Sequence, residues 1–472
     1  MGLISDIYFW RQSIVLISDC MHSVGTGFML SFPAVLHPAI LSPNSTGIRA
    51  TSDQTSWIAA SHGIAGMLGF FMVPFLMQTL GRKTVHIVLN LSVSIGFLIF
   101  ALAQSVPVLF VAKVTQGLAL CGVYVTSIIL GEYSHPKRRG YFMTLKKCSV
   151  AIGSLMCHSM ALCWTWRQIA AFAIIPHIIA ILVTLMWRES PSFLAFNGRY
   201  DECDKSHTWL HGDSPKQKIE LEDLIATQME RREQAKNKKN LKTVIKKLLK
   251  KDFMKPFIIA SVLTLLVDAC GRYYMLAYVV QILTEITGDK SIAAFCTIGA
   301  DTLTIIALLI SCYIIRCFKR RTLLFTAGIT SVILMFLTSL VAILKTYHTI
   351  GESALWITPS IILLNVFIVN VGIVPICFAI IGEIFPLEHK GTGSFATGIV
   401  FTILYALVMK FTPLMMEKTG IEGTFGIYGL HVIFALSILY FVLNETKDKT
   451  LQEIENEIRG VKPLLDRKHE LN

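Results

Sequence analysis

A ten-residue charged phrase occurs twice in this chain, once in each half, and constrains the fold more than any other feature. Gly131-Glu132 is followed seven residues after the glutamate by Arg139-Gly140, and Gly382-Glu383 is followed at the same spacing by Lys390-Gly391. Each phrase closes a long apolar stretch, carries a proline between its charges (Pro136, Pro386) and opens into another apolar stretch. Two copies of one charged hairpin predict a duplicated helical bundle built from two similar halves.

The apolar content fixes the solvent. Of the 472 residues, 53% are hydrophobic and only 16% charged, and the mean hydropathy is +0.60. A water-soluble fold of this length could not hide that much apolar sequence, so a polytopic membrane protein is expected. The formal net charge of +12 does not call for nucleic acid, because Lys and Arg gather in short clusters between the apolar stretches, as the positive-inside rule requires. The eleven cysteines show no CxxC spacing and sit mostly inside apolar stretches. They read as small buried residues rather than a disulfide framework or a metal site. No cleavable signal peptide is expected, since the first apolar stretch is long enough to span.

About twelve membrane helices are expected, each of roughly 20 residues. They begin near Ser13, Ser56, Thr84, Val108, Tyr141, Gln168, Lys255, Ile292, Thr322, Ser353, Ser394 and Phe425. Arg82-Lys83, Lys137-Arg138-Arg139, Lys319-Arg320-Arg321 and the Lys-rich stretch from Lys236 to Lys255 all fall on one side of that count. That side is expected to be cytoplasmic, with both termini. The first loop on the other side carries Asn44-Ser45-Thr46, a glycosylation sequon. The implied division is a six-helix bundle over 1–187, cytoplasmic linker helices over 188–252, and a second six-helix bundle with a tail over 253–472. The linker is too short and too poor in apolar residues for a core of its own.

Further motifs fall in order at the span ends. They are Gly81-Arg82-Lys83, the phrase from Gly131 to Gly140, Glu189-Ser190-Pro191 with Asn197-Gly198-Arg199, Gly382-Glu383-Ile384-Phe385-Pro386, and Glu445-Thr446-Lys447 with Thr450-Leu451. On these the chain resembles the sugar porter family of the major facilitator superfamily over essentially its whole length. Around Lys410 and Pro33-Ala34 it is most similar to the insect facilitated trehalose transporters of that family. The resemblance implies an all-α membrane protein with the major facilitator fold. It also implies a latch, in which Glu132 with Arg139 and Glu383 with Lys390 place opposite charges at cytoplasmic helix ends, within reach of Arg82, Lys83, Arg320 and Arg321. Such ion pairs hold the outward-facing state and break for the site to open inward. A purely topological reading is also available, with bases fixing orientation and acids neutralising them. The second latch departs from the family pattern, because Arg316-Cys-Phe-Lys319-Arg320-Arg321 lacks the Asp and Gly of D-R-x-G-R-R. In the first copy the acidic position is Gln78. Lys113, grouped with the latch, takes the place of the family's fourth-span arginine and lacks its bidentate fork.

The pocket departs further. The family's helix-five Gln is Lys147, its helix-ten Trp aligns with Phe378, and its helix-seven Q-Q-x-S-G-x-N reads Val267-Asp268-Ala269-Cys270-Gly271-Arg272-Tyr273. Asp268 and Arg272 lie four apart, so on a continuous helix they can pair. They are either a self-neutralising structural pair or part of the pocket. Lys147 either faces the pocket or snorkels to the surface. Tyr273, Tyr274, Tyr278 and Phe378 either line a cavity or simply pack. Asp19 with His22 is a candidate for proton handling, although Asp19 does not align with the aspartate of the family's proton-coupled members.

The expected function is carriage of a sugar, trehalose or a hexose, by facilitative alternating access in the plasma membrane. Two alternatives stay open: a carrier of an anionic or proton-coupled organic solute met by Lys147 and Arg272, and a solute sensor that moves nothing. No nucleophile, metal or phosphate-loop constellation is present, so neither enzyme activity, a cofactor nor a metal is expected. The partners are a small-molecule solute and the lipid bilayer, with no nucleic acid.

Overall fold

Hydrocarbon offers backbone N–H and C=O groups no partner, so a chain this apolar must satisfy them within helices. The computed structural model describes residues 7–42, 47–237, 251–347, 356–385 and 390–447, and among them there is no strand. Asn44 of the sequon lies outside the described residues.

In the first half, α1 (Ile7–Leu41), α2 (Ser52–Thr79) and α3 (Arg82–Leu102) are long continuous helices. Next, α4 (Val106–Gly117) and α5 (Gly122–Tyr133) form one span, and α6 (Pro136–Met160) follows. The last span joins α7 (Trp166–Phe172) to α8 (Ile174–Leu185). Three linker helices come next: α9 (Pro191–Phe196), α10 (Tyr200–His211) and α11 (Pro215–Asn237). The second half holds α12 (Lys251–Ala269), α13 (Tyr274–Thr287), α14 (Lys290–Cys317) and α15 (Arg320–Thr346). A π turn at Val369–Ile373 then joins α16 (Ile357–Ile368) to α17 (Val374–Ile384) in one span. Finally α18 covers Lys390–Val442.

Ten of these stretches are long and apolar enough to cross a membrane. The last, Gly391–Val442, is 52 residues long, about 78 Å at 1.5 Å per residue against a hydrocarbon thickness of about 30 Å. It contains a break at Gly420, where φ is 68°, so two helices are joined there. The 25-residue α6 is long enough to cross, but Arg138, Arg139, Lys146 and Lys147 dilute its apolar character.

The helices gather into two compact units, Met1–Met29 with Ile64–Val244, and Leu30–Gly63 with Ile245–Asn472. In this grouping one end of α1 and of α2 belongs to the second unit. The contacts explain why. At Gly63 of α2 a Cβ would stand 2.7 Å from the Thr402 carbonyl and 2.9 Å from the Ala406 methyl, so the backbones touch. His37 packs on Tyr278 with ring centroids 5.4 Å apart. Lys410 Nζ reaches Asp53 Oδ1 at 2.5 Å and Ser56 Oγ at 3.0 Å, and lies 4.4 Å over the Trp57 ring.

Within the first unit, α1 and α6 approach backbone to backbone. A Cβ at Gly27 would strike the Val150 carbonyl, and one at Gly153 the Val24 carbonyl. Small residues permit such contact between membrane helices, where packing replaces the hydrophobic drive. The linker helices are richer in core than their composition led one to expect. Phe193, Leu194, Ala195, Cys203 and Leu221 form a buried cluster with Leu224 and Ile225 against it. This layer is tied to α1, with Arg11 Nη1 donating to the Trp209 carbonyl at 2.9 Å and Gln12 Nε2 to the Leu210 carbonyl at 3.2 Å. Gly153→Val should therefore lower first-unit stability by about 1–3 kcal/mol through overpacking, read as a fall in thermal midpoint of the detergent-solubilised protein. An unchanged midpoint would refute the close contact.

Candidate functional site

The ends of the first-half helices that carry Arg82 and Glu132 converge on two carboxylates. The Arg82 guanidinium forks onto Glu132, Nε to Oε2 at 2.9 Å and Nη2 to Oε1 at 2.8 Å. Its remaining Nη1 donates to the Met77 carbonyl at 3.1 Å. Ser190 Oγ donates to the same Glu132 at 2.5 Å. The second acid, Glu189, sits on the start of α3 and accepts the backbone N–H of Arg82 at 2.9 Å and of Lys83 at 3.2 Å. An anion there satisfies orphan donors and meets the positive end of the helix dipole. Lys83 Nζ closes the layer by donating to the carbonyls of Leu185 and Trp187. Gly81 makes this possible, for its φ is 90° and a Cβ would strike the Glu189 carboxylate.

The second half repeats the construction. Arg320 pairs with Glu383 through Nη1 and Oε2, and also donates to Thr446 Oγ1 at 3.3 Å. Glu445 caps α15, accepting the backbone N–H of Arg320 at 3.1 Å and of Arg321 at 3.0 Å. It accepts those of Thr446 and Lys447 as well. Burial alone would raise this carboxyl, but the four backbone donors outweigh burial and hold Glu445 below the ordinary carboxylate range. Arg321 donates to the Tyr440 carbonyl at 2.8 Å and lies over the Phe325 and Tyr440 rings. Loss of the family's glycine is harmless here, because Lys319 takes that position at a φ of −64°. Arg82–Glu132–Glu189 and Arg320–Glu383–Glu445 are thus matched clusters, although the second lacks the expected sequence pattern. The capping roles of Glu189 and Glu445 escaped the sequence reading. Their signal was the recurrence of a Glu-Ser/Thr pair after the last span of each half.

Two charged residues grouped with these clusters stand elsewhere. Arg139 is exposed and Glu132 is paired with Arg82 instead. Lys113 is buried on α4, where Nζ donates to the Met29 carbonyl at 3.0 Å. It lies nineteen residues before Glu132 in the same span, about 28 Å away by helical rise, so it takes no part in the cluster. The side chain of Lys390 lies outside the described residues.

The pocket candidates separate as well. Asp268 and Arg272 do not pair. The helix stops between them: the Arg272 N–H bonds back to the Val267 carbonyl and the Gly271 N–H to the Asp268 carbonyl, with Gly271 at a φ of 100°. This is a Schellman stop with glycine in the position that favours it. Beyond it Arg272 Nη1 donates to Asn370 Oδ1 at 3.0 Å, and Asn370 belongs to the π turn. Asp301 on α14 bears electrostatically on the same guanidinium. Asp268 is left fully buried, with neither oxygen hydrogen-bonded. Tyr273 packs against Phe401 and Tyr405. Tyr274 is buried and stacks on Tyr428 at 4.3 Å, so it packs inside the unit rather than facing open space. Phe378 is half-buried. On α6 it is Lys146 that is buried, donating to the Val123 carbonyl at 2.8 Å and Ser127 Oγ at 2.7 Å, while Lys147 is exposed.

Two outcomes follow from the clusters. Glu132→Gln leaves a half-buried guanidinium without its anion and should cost about 1.5–3 kcal/mol of first-unit stability, read as a drop in thermal midpoint that Arg139→Gln does not reproduce. Because the Glu445 carboxyl is depressed, its contribution is present above the unfolded value of about 4.3 and is lost as pH falls through the lower folded value. Amide exchange at Arg320 and Arg321 should therefore lose protection at acid pH, and in Glu445→Gln it should be unprotected already at neutral pH.

Known proteins of similar sequence and fold match the chain along most of its length. The family model described as sugar (and other) transporter matches residues 21–458. Facilitated trehalose transporter Tret1 of Drosophila yakuba is 24% identical over 459 residues, 97% of this chain and 53% of that protein. Tret1 of Aedes aegypti is 25% identical over 460 residues, 97% of this chain and 56% of that protein. The chain thus spans about half the length of the curated relatives it matches. Among solved structures, the proton:xylose symporter XylE bound to 6-bromo-6-deoxy-D-glucose aligns with a TM-score of 0.75 at 15% identity, over 95% of this chain and 99% of its own. XylE from E. coli in a partially occluded inward open conformation aligns at 0.73 and 16%, over 94% of this chain and 100% of its own. These likenesses give the fold, that of the major facilitator superfamily. By the extent of the family match, the chain belongs to the sugar (and other) transporter family.

Proposed function

We propose that the protein is a membrane carrier that moves a sugar, trehalose or a hexose, by facilitative alternating access. The observation that carries this reading is the matched pair of clusters, one per half, at corresponding helix ends. Each ties three separate stretches of one half through an arginine and two glutamates. Such ties hold one state firmly and are broken to reach another. In this reading α6 and both parts of α18 cross the bilayer, giving twelve crossings. The end bearing the clusters is cytoplasmic and the membrane is the plasma membrane, with Asn44 outside.

Family membership and the similarity to insect trehalose transporters favour a sugar. The chain's own residues add a chemical reason, since a buried carboxylate without a donor is suited to accept hydrogen bonds from solute hydroxyls. Asp268 is that group, and Arg272, hydrogen-bonded to Asn370, follows just past the helix break. A second reading, an anionic solute, draws on Arg272, a cation that donates to the neutral amide of Asn370.

Counterflow in proteoliposomes separates the two. Labelled trehalose or glucose should exchange saturably, and Asp268→Asn should slow exchange by about tenfold, the equivalent of one hydrogen bond. Glu132→Gln with Glu383→Gln should alter the rate while leaving equilibrium solute binding nearly unchanged. No sugar flux, together with an anion flux abolished by Arg272→Gln, would overturn the sugar reading.

A further inference from the structure

Inside the first unit, three spans bury an aspartate and three histidines against one another. Asp19 and His22 come from α1, His86 and Asn90 from α3, and His177 and Thr184 from α8, all at most 2% exposed. Asn90 Oδ1 accepts from Nδ1 of His22 at 3.1 Å and of His177 at 2.8 Å. An amide oxygen cannot donate, so both rings carry their proton on Nδ1. His86 Nδ1 meets Thr184 Oγ1 at 3.0 Å, and Thr184 is joined to Ser18 at 2.7 Å. The other nitrogen of His86, Nε2, stands 3.3 Å from Asp19 Oδ1.

That last contact differs from the rest. Neither oxygen of Asp19 nor His86 Nε2 has a hydrogen-bond partner among the described residues. The two groups face each other with only a proton available to join them. With one proton between them the pair is neutral as a whole, as acid and imidazole or as carboxylate and imidazolium. Without it the pair is an anion. Lys146 on α6 is the cation that bears on Asp19 and on His22, and it is tied to Val123 and Ser127. Tyr133 on α5 and Cys20 on α1 are the remaining titratable neighbours. A cation beside the pair offsets the negative charge that remains when the proton leaves.

The placement gives this proton a consequence. His86 is one helical turn from Arg82, and the ring of Trp187, two residues before Glu189, lies 5.9 Å from the His86 ring. The network therefore hangs from the same helix ends that the charge cluster ties together. We propose that Asp19 and His86 form a binding site for one exchangeable proton, and that its occupancy sets the grip of the Arg82–Glu132–Glu189 cluster one turn away. The proton comes from water at that end of the unit and returns to it. The only bond made or broken is the O–H or N–H bond within the pair. The site stands on its own residues and does not depend on what solute the protein carries.

The test needs no solute. The Trp187 indole is an internal reporter, because an imidazolium beside it quenches its emission. The full-length protein in lipid nanodiscs is titrated over the histidine range, about pH 5 to 8, and the emission of Trp187→Phe is subtracted from that of the wild type. The expected result is a one-proton transition in the Trp187 component, absent in His86→Gln and displaced in Asp19→Asn. Amide exchange at the start of α3 should change with the same midpoint. A flat Trp187 component across the range would overturn the proposal, as would a transition left unmoved in His86→Gln. The wild-type curve decides the matter even if Asp19→Asn fails to fold.

Discussion

A helix that begins inside or at the edge of hydrocarbon exposes backbone N–H groups that nothing in the lipid can satisfy. In each half of this protein a glutamate from beyond the last span supplies the missing acceptor, Glu189 for α3 and Glu445 for α15. Much else follows from that need. Once the carboxylate is seated, the arginine leading the helix is held where its guanidinium meets a second acid, Glu132 or Glu383. Ser190 and Thr446, next to the capping acids, join the same ties. The cap, more than the ion pair alone, positions the cluster.

The same economy of partners marks the two buried regions. In the first unit, Asn90 Oδ1 serves His22 and His177 and Thr184 serves His86, while both oxygens of Asp19 and Nε2 of His86 are left over. In the second, Arg272 is supplied by Asn370, and Asp268 is left over. Polar groups buried without partners are costly, and in each unit one aspartate has both carboxyl oxygens in that position.

Much of the architecture was legible in the chain, because helix length, span-end charge and the repeated phrase each reflect a local requirement. The contact of Arg82 with Glu132 was within that reach. What escaped depended on geometry between distant segments. Nothing at Lys113 announced that its partner would be the Met29 carbonyl rather than an acid. The assumed Asp268–Arg272 pair required a continuous helix, and Gly271, the residue shared with the family motif, is what interrupts it. Glycine after an apolar helical run was a stop signal overlooked because a membrane span was assumed to continue. The exchange of Lys147 for Lys146 as the buried lysine is a shift of one residue, about 100° around a helix, which composition cannot resolve. The grouping of 30–63 with the second unit had no sequence signal beyond Gly63 itself.

The π turn at Val369–Ile373 has a geometric consequence for the span that contains it. A wide turn of this kind accommodates an extra residue within a helix and changes the angular phase of everything that follows. Within it Asn370 is turned to Arg272, and ten residues beyond its end Glu383 is turned to Arg320. Deleting a single residue there would rotate α17 by about 100° relative to α16 and leave one of those two partners facing away. The turn acts as a phase corrector, letting one span serve two unrelated azimuths, one for the buried polar group and one for the charge cluster at its end.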